Sequence, residues 1–297
     1  MKRYKLFLLL AILLPITSCS DFLDREPDQL LSDEAVFNDP KMIKSALANI
    51  YGRARWGQKL EDSKSFIYLD EACLSNGGPD QTNEFANDLW RIYPYTLIRN
   101  INQLLRSIRN SDLETSEKVQ LEGEVRFLRA WTYFNMIRGL GGIPLVGDQI
   151  MEYTPGMDIE TLRLPRSTEE ESYNYVINEC TAIVDNNMLP EAPSINAARA
   201  TKWAALALKA RAAIYAASIA KYNNLMEAPI RTDKNEIGID ANKAKGYYET
   251  ALKACREVIK GGKYQLQETE ADKGVNFYNA VTIKENNVEV IWAVDYK

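Results

Sequence analysis

Apolar and polar positions along the chain recur mostly at helical spacing, with irregular stretches between. Ser32, followed by Asp33 and Glu34, is a helix-start signal, and Pro40 opens a helix running through KMIKSALANIYG to Gly52. From Glu84, the spacing of Leu89, Ile92, Tyr93, Leu97, Ile101, Leu104 and Leu105 predicts a long helix that Pro94 kinks or interrupts. The next segment, SEKVQLEGEVRFLRAWTYFNMIRG, carries Leu121, Val125, Leu128 and Trp131 on one stripe. Phe127, Phe134, Met136 and Ile137 widen that stripe almost all the way round, which places the helix in the interior. Gly139 is its expected C′ residue.

Three further helices follow. Ser167 and Glu170 form a capping box before TEEESYNYVINECTAIVDNN. Asn196 caps a segment in which Ala200, Ala204, Ala207, Ala210, Ala213 and Ala217 recur every three or four residues, so a neighbouring helix can approach closely. Asp240 caps the last helix, which Gly261 and Gly262 stop. The final NVEVIWAVDY alternates and is rich in β-branched and aromatic residues, the pattern of a strand. Nothing in the sequence pairs with that strand, which suggests a fragment of a longer chain. The expectation is a mostly all-α fold with tetratricopeptide-like helix pairs and a minor strand element near the C-terminus. Helix starts near 168, 199 and 241 are too unevenly spaced for a strict repeat.

The amino terminus has a different pattern. Lys2, Arg3 and Lys5 precede nine uninterrupted apolar residues, Leu6 to Leu14, and Thr17 and Ser18 lead to Cys19. Nine is far short of the ~20 needed to span a bilayer, so this is a secretory leader. A small residue immediately before cysteine resembles the bacterial lipobox, in which the thiol is acylated and becomes the mature N-terminus. Residues 1–18 are then the signal peptide, 19–297 the mature helical region, and Cys19 the lipidation site. Acyl chains contribute ~0.8 kcal/mol per buried CH₂ and hold a protein on a membrane without a transmembrane helix.

Composition narrows the chemistry. Of 297 residues, 46% are hydrophobic and 26% charged, an ordinary globular balance. The net charge of −5 becomes −8 once the three cations of the leader are removed, which gives no electrostatic reason to bind nucleic acid. Cys73, Cys180 and Cys255 form no CxxC pair, and Cys180 and Cys255 read as buried free thiols. Histidine is absent, which removes Ser-His-Asp, Cys-His and His-metal chemistry from these residues; no cofactor or metal is expected.

Taken together, CSDFLDREP, EVRFLRAWTYFNMIRGLGGIPLV, LPRSTEEESYNYVINECTAI and RATKWAALALKARAAIY resemble the SusD/RagB family of outer-membrane lipoproteins from Bacteroidetes. The resemblance runs through essentially the whole chain in the family's order. It implies a loop-rich lobe beside the helix pairs and a location on the outer membrane facing outward. It also implies a non-enzymatic role, capturing glycans, or peptides in some branches, and delivering them to a SusC-like TonB-dependent transporter. Family proteins run well beyond 297 residues, so the chain corresponds to an N-terminal portion. A helical scaffold that binds only protein partners is the alternative.

Candidate ligand residues lie in and near the turn-rich NGGPDQTN loop: Asn76, Asp80, Gln81 and Asn83 as hydrogen-bonding groups, with Phe85 and Trp56 as stacking platforms. The loop has no tryptophan, and Asn, Asp and Gly are also simply what turns are made of. Trp90, Trp131 and Trp203 fall at core spacing. Arg126 and Arg129 could clamp an anion, but Glu122 is placed to pair with Arg126, an interaction worth ~0.2–0.5 kcal/mol. The acids Asp70, Glu71, Asp80, Glu84 and Asp88 match no EF-hand spacing and read as a solvated face.

Overall fold

The computed structural model describes residues 39–54, 93–192, 198–227, 232–284 and 287–293. Among them are seven α-helices: α1 Pro40–Arg53, α2 Tyr95–Asn110, α3 Thr115–Leu140, α4 Glu169–Asp185, α5 Lys202–Tyr222, α6 Ala244–Gly261 and α7 Lys273–Thr282. From α1 to α6 each helix packs mainly on the next in sequence. This nearest-neighbour stacking is how helix-pair repeats bury their faces, as the sequence predicts.

The starts and stops follow local chemistry. Asp39 caps α1 by accepting from the Lys41 amide, with Pro40 at the first position. Pro94 occupies the N-cap position of α2, so it begins that helix; the expected stretch from Glu84 and the signal at Ser32 lie outside the described residues. α4 opens with the capping box one residue later than expected, at Thr168 and Glu171. The shift has a cause: the Ser167 amide already bonds Ile143 O, which holds Ser167 outside the helix. α5 is capped by Thr201, which accepts from the Ala204 amide; the expected Asn196 lies outside the described residues.

α3 is buried nearly all round, from Leu121 to Ile137, as its sequence implies. It passes through Gly139 and ends at Gly141, because Gly141 has the positive φ (71°) that terminates the helix. Gly142 is needed for a different reason. A Cβ there would sit 2.0 Å from Ser167 O, so only glycine lets the turn dock against the start of α4. α5 is sandwiched between α4 and α6. Its buried alanines, including Ala204, Ala205, Ala212, Ala213 and Ala216, therefore spread over two faces instead of one stripe.

Two further expectations are corrected. Cys180 is buried, but Cys255 is exposed, because α6 buries only Tyr247, Ala251 and Ala254. The expected strand is not formed among the described residues 287–293. The Gln265 amide bonds Val288 O, and the Gln267 amide is taken by the Glu289 side chain; the segment does not enter a backbone ladder. Beside it, α7 is tied down by polar groups. Asn276 bonds both the amide and the carbonyl of Glu270, while Phe277 and Tyr278 point outward, 71% and 64% exposed.

Candidate functional site

The site residues read from the sequence, Cys19, Trp56, Asn76, Asp80, Gln81, Asn83 and Phe85, all lie outside the described residues, as do Asp70, Glu71, Cys73, Glu84, Asp88 and Trp90. Trp131 is partly buried against the core and Trp203 is buried, which fits their expected packing role.

The structure brings together a charged cluster that the sequence only half revealed. Arg129 on α3 is 2% exposed. Its Nη1 donates to Asn102 Oδ1 (2.8 Å), Gly147 O (3.0 Å) and Asp148 Oδ1 (2.6 Å), and its Nη2 donates to Glu179 Oε2 (3.0 Å). Arg126 donates from Nη2 to the other oxygen of Glu179 at 2.8 Å. Arg109 on α2 bridges Glu122 (2.7 Å) and Asp148 (2.8 Å). Glu179 is thus shared by Arg126 and Arg129, and Asp148 by Arg109 and Arg129. The pairing expected in the sequence, Glu122 with Arg126, is loose at 3.9 Å. Asp148 and Glu179 come from a loop and from α4, and no local spacing pointed to them.

The electrostatics follow. Burial pushes Asp148 up, but hydrogen bonds from Arg109 and Arg129 outweigh it and hold its carboxyl at about 2. Glu179 is likewise raised by burial and lowered further by Arg126 and Arg129, with a net downward shift. Both stay ionised at neutral pH.

Asn102, Arg109 and Asp148 of this cluster line an open cleft of about 350 Å³. Asn102 pins the facing loop to α2 by donating to Gly147 O (2.9 Å) and Gln149 O (2.8 Å). Arg99 donates to Met151 O, and Tyr95 donates its hydroxyl to Pro144 O at 2.9 Å. Ile150 supplies apolar lining, and Arg106 and Glu152 stand across the mouth, 3.9 Å apart. Such a cleft offers both donors and acceptors to a ligand. Among the described residues, no group of three or more His, Cys, Asp or Glu side chains is arranged to hold a metal ion.

A second polar cluster ties α1, α3 and the entry to α5. Glu124 is fully buried and accepts from both Arg199 Nε and Nη2, the latter at 2.7 Å. The Tyr51 hydroxyl donates to Glu124 Oε2 (2.8 Å) and accepts from the Ala200 amide (2.9 Å). Next to it, Trp292 donates its indole N–H to Ala198 O (3.0 Å) and stacks edge-on with Phe127 and Trp131 at 4.8 and 5.4 Å. The C-terminal segment is therefore stapled to α3 by its tryptophan.

Comparison with known proteins decides the family. The SusD-like family model described as "Starch-binding associating with outer membrane" matches residues 21–215. The chain belongs to the SusD-like family. A SusD-like protein of Formosa agariphila is 20% identical over 318 aligned positions that take in all of this chain and 52% of the relative. Another, from Bacteroides ovatus, is 23% identical over 225 positions, covering 70% of this chain and 39% of the relative. The chain thus spans about half the length, or less, of the relatives it matches.

Among solved structures, a SusD-like protein of Bacteroides fragilis superposes with a TM-score of 0.64 at 26% identity, covering 92% of this chain and 48% of that one. Surface glycan-binding protein A of Bacteroides thetaiotaomicron, in complex with laminarihexaose, shares the fold at a TM-score of 0.55 and 16% identity, over 87% of this chain and 50% of that one. The mostly helical, SusD-like fold expected from the sequence is therefore established. Among the described residues no helix is long and apolar enough to cross a membrane.

Proposed function

We propose that this SusD-like chain belongs to a cell-surface lipoprotein that captures glycans at the outer membrane and delivers them to a SusC-like TonB-dependent transporter, without acting on them chemically. The observation that carries this reading is the family match over residues 21–215, whose description joins starch binding to the outer membrane. Glycans are favoured over peptides because the shared fold includes a protein solved with laminarihexaose. Cys19, following Ser18 at the end of the apolar leader, is the acylated residue that holds the protein to the membrane. In this reading Asn76, Asp80, Gln81 and Asn83 hydrogen-bond the glycan, and Phe85 and Trp56 stack on it. Residues 19–297 form the helical part of a longer polypeptide, consistent with their covering about half of the relatives.

Cell fractionation tests the anchor and the partner together. The full-length protein sediments with outer membranes and copurifies with a barrel transporter, whereas Cys19→Ala is found in the soluble fraction with its fold intact. A Cys19→Ala protein that stays with the membrane, or a wild type that brings down no transporter, contradicts the reading.

A further inference from the structure

Building on the glycan-binding reading, we propose that the cleft between α2 and the loop after α3 is a saccharide subsite for one neutral, hydroxyl-rich ring of the glycan. Three features of the cleft point to this class of ligand.

The first is charge parity. Arg106 and Arg109 face Asp148 and Glu152, two cations against two anions in one cleft. An anionic or cationic ligand is attracted by one pair and repelled by the other. An uncharged ring that carries both donors and acceptors gains from both pairs.

The second is unused hydrogen-bonding capacity at the mouth. Arg106 and Glu152 are 52% and 59% exposed and stand 3.9 Å apart, beyond hydrogen-bond distance. An exposed pair at that separation contributes little by itself. A diol placed between them accepts from the guanidinium through one oxygen and donates to the carboxylate from the other. Both contacts are of the stronger, charge-assisted kind.

The third is rigidity below the mouth. Arg129 and Asn102 are buried, and between them they fix Gly147, Asp148 and Gln149 against α2. A ligand therefore finds Asp148 and the loop already in place, and little ordering is needed on binding. Ile150, which is only half-buried, gives the wall an apolar patch for the C–H face of a ring. The volume of about 350 Å³ is at the small end for ligand sites, as suits a single ring held mainly by its edge.

Side-chain NMR of the full-length protein tests this, with laminarihexaose, maltohexaose and xylohexaose as neutral probes and oligogalacturonate as the anionic one. A neutral probe is expected to shift the Asn102 side-chain amide and the Arg106 and Arg109 Nε–H signals saturably. Arg106→Ala and Glu152→Ala, both at exposed positions and checked for unchanged melting temperature, are each expected to weaken that saturation roughly tenfold. Oligogalacturonate should bind no more tightly than the neutral probes. If a neutral glycan binds but these signals do not move, or if both variants titrate like the wild type, the subsite is wrong while the glycan reading stands. Tighter binding of oligogalacturonate overturns the proposed ligand class. If no probe binds anywhere on the wild type, the subsite and the glycan reading fall together.

Discussion

Arg199 donates from Nη2 to Glu124 Oε1 at 2.7 Å across 75 residues of sequence, and Glu124 is wholly buried. A buried carboxylate left without its partner is costly, so Arg199→Ala should lose about 3–5 kcal/mol of folding stability. Tyr51→Phe, which removes one hydrogen bond to the same carboxylate, should lose about 1.5–3 kcal/mol. Replacing Glu124 and Arg199 together by leucine should cost less than Arg199→Ala alone, since no charge is stranded. Urea unfolding of the set checks this ordering; a double variant worse than the single one contradicts it.

Gly123 sits where α3 crosses the end of α4, and a Cβ there would lie 2.7 Å from Met188 Cβ and 2.8 Å from Met188 O. Alanine is favoured over glycine within a helix by about 1 kcal/mol, whereas overpacking costs roughly 1–3 kcal/mol. The clash includes backbone, which cannot swing aside as a flexible side chain does. Gly123→Ala should therefore lower the melting temperature, and calorimetric scanning decides the sign.

Trp292 holds the C-terminal segment through Ala198 O and T-shaped contacts with Phe127 and Trp131. Truncating it to alanine removes that packing, at about 3 kcal/mol for an aromatic of this size. The loss should be local. Amide hydrogen exchange is expected to accelerate at residues 287–293 and 198–200 while the centre of α3 remains protected. Uniform acceleration across α3 would instead show that the staple supports the whole helical stack.

Acid should unfold the protein through the cluster around Arg129. The carboxyls of Asp148 and Glu179 are held below their ordinary range in the folded state. The stability they contribute is complete above the unfolded values near about 4 and is lost as pH falls toward the folded value of Asp148 at about 2. Glu169 acts in the opposite sense. Burial raises it despite the Gly238 amide, so its ionisation opposes folding at neutral pH and that cost is relieved on acidification. Melting temperature should thus change little from pH 7 to 5 and fall steeply between about pH 4 and 2. Asp148→Asn should flatten the acid limb; an unchanged limb in that variant assigns acid unfolding elsewhere.

The helices were legible because their apolar residues are local and dense. Phe127, Phe134, Met136 and Ile137 mark α3 as interior without any knowledge of its neighbours. The caps were legible only to within a few residues. Ser167-x-x-Glu170 and Thr168-x-x-Glu171 are equivalent as patterns, and what separates them is the bond from Ser167 to Ile143, a contact made by a distant turn. Cys255 reads like Cys180 in sequence, but α6 packs mainly on α5 and leaves the Cys255 side chain in water. In the charged cluster, Arg126 and Arg129 stood out on their own helix. Their true partners, Asp148 and Glu179, are placed by the docking of a loop and of α4, information carried by the topology and not by residue spacing.

The central claim is glycan capture without turnover, and titration calorimetry on the purified full-length protein tests it most directly. With a panel of neutral oligosaccharides that includes laminarihexaose and maltohexaose, the account predicts saturable binding of at least one member and recovery of that glycan unchanged after prolonged incubation. Absence of binding to every glycan in the panel, or appearance of shortened products, would contradict it.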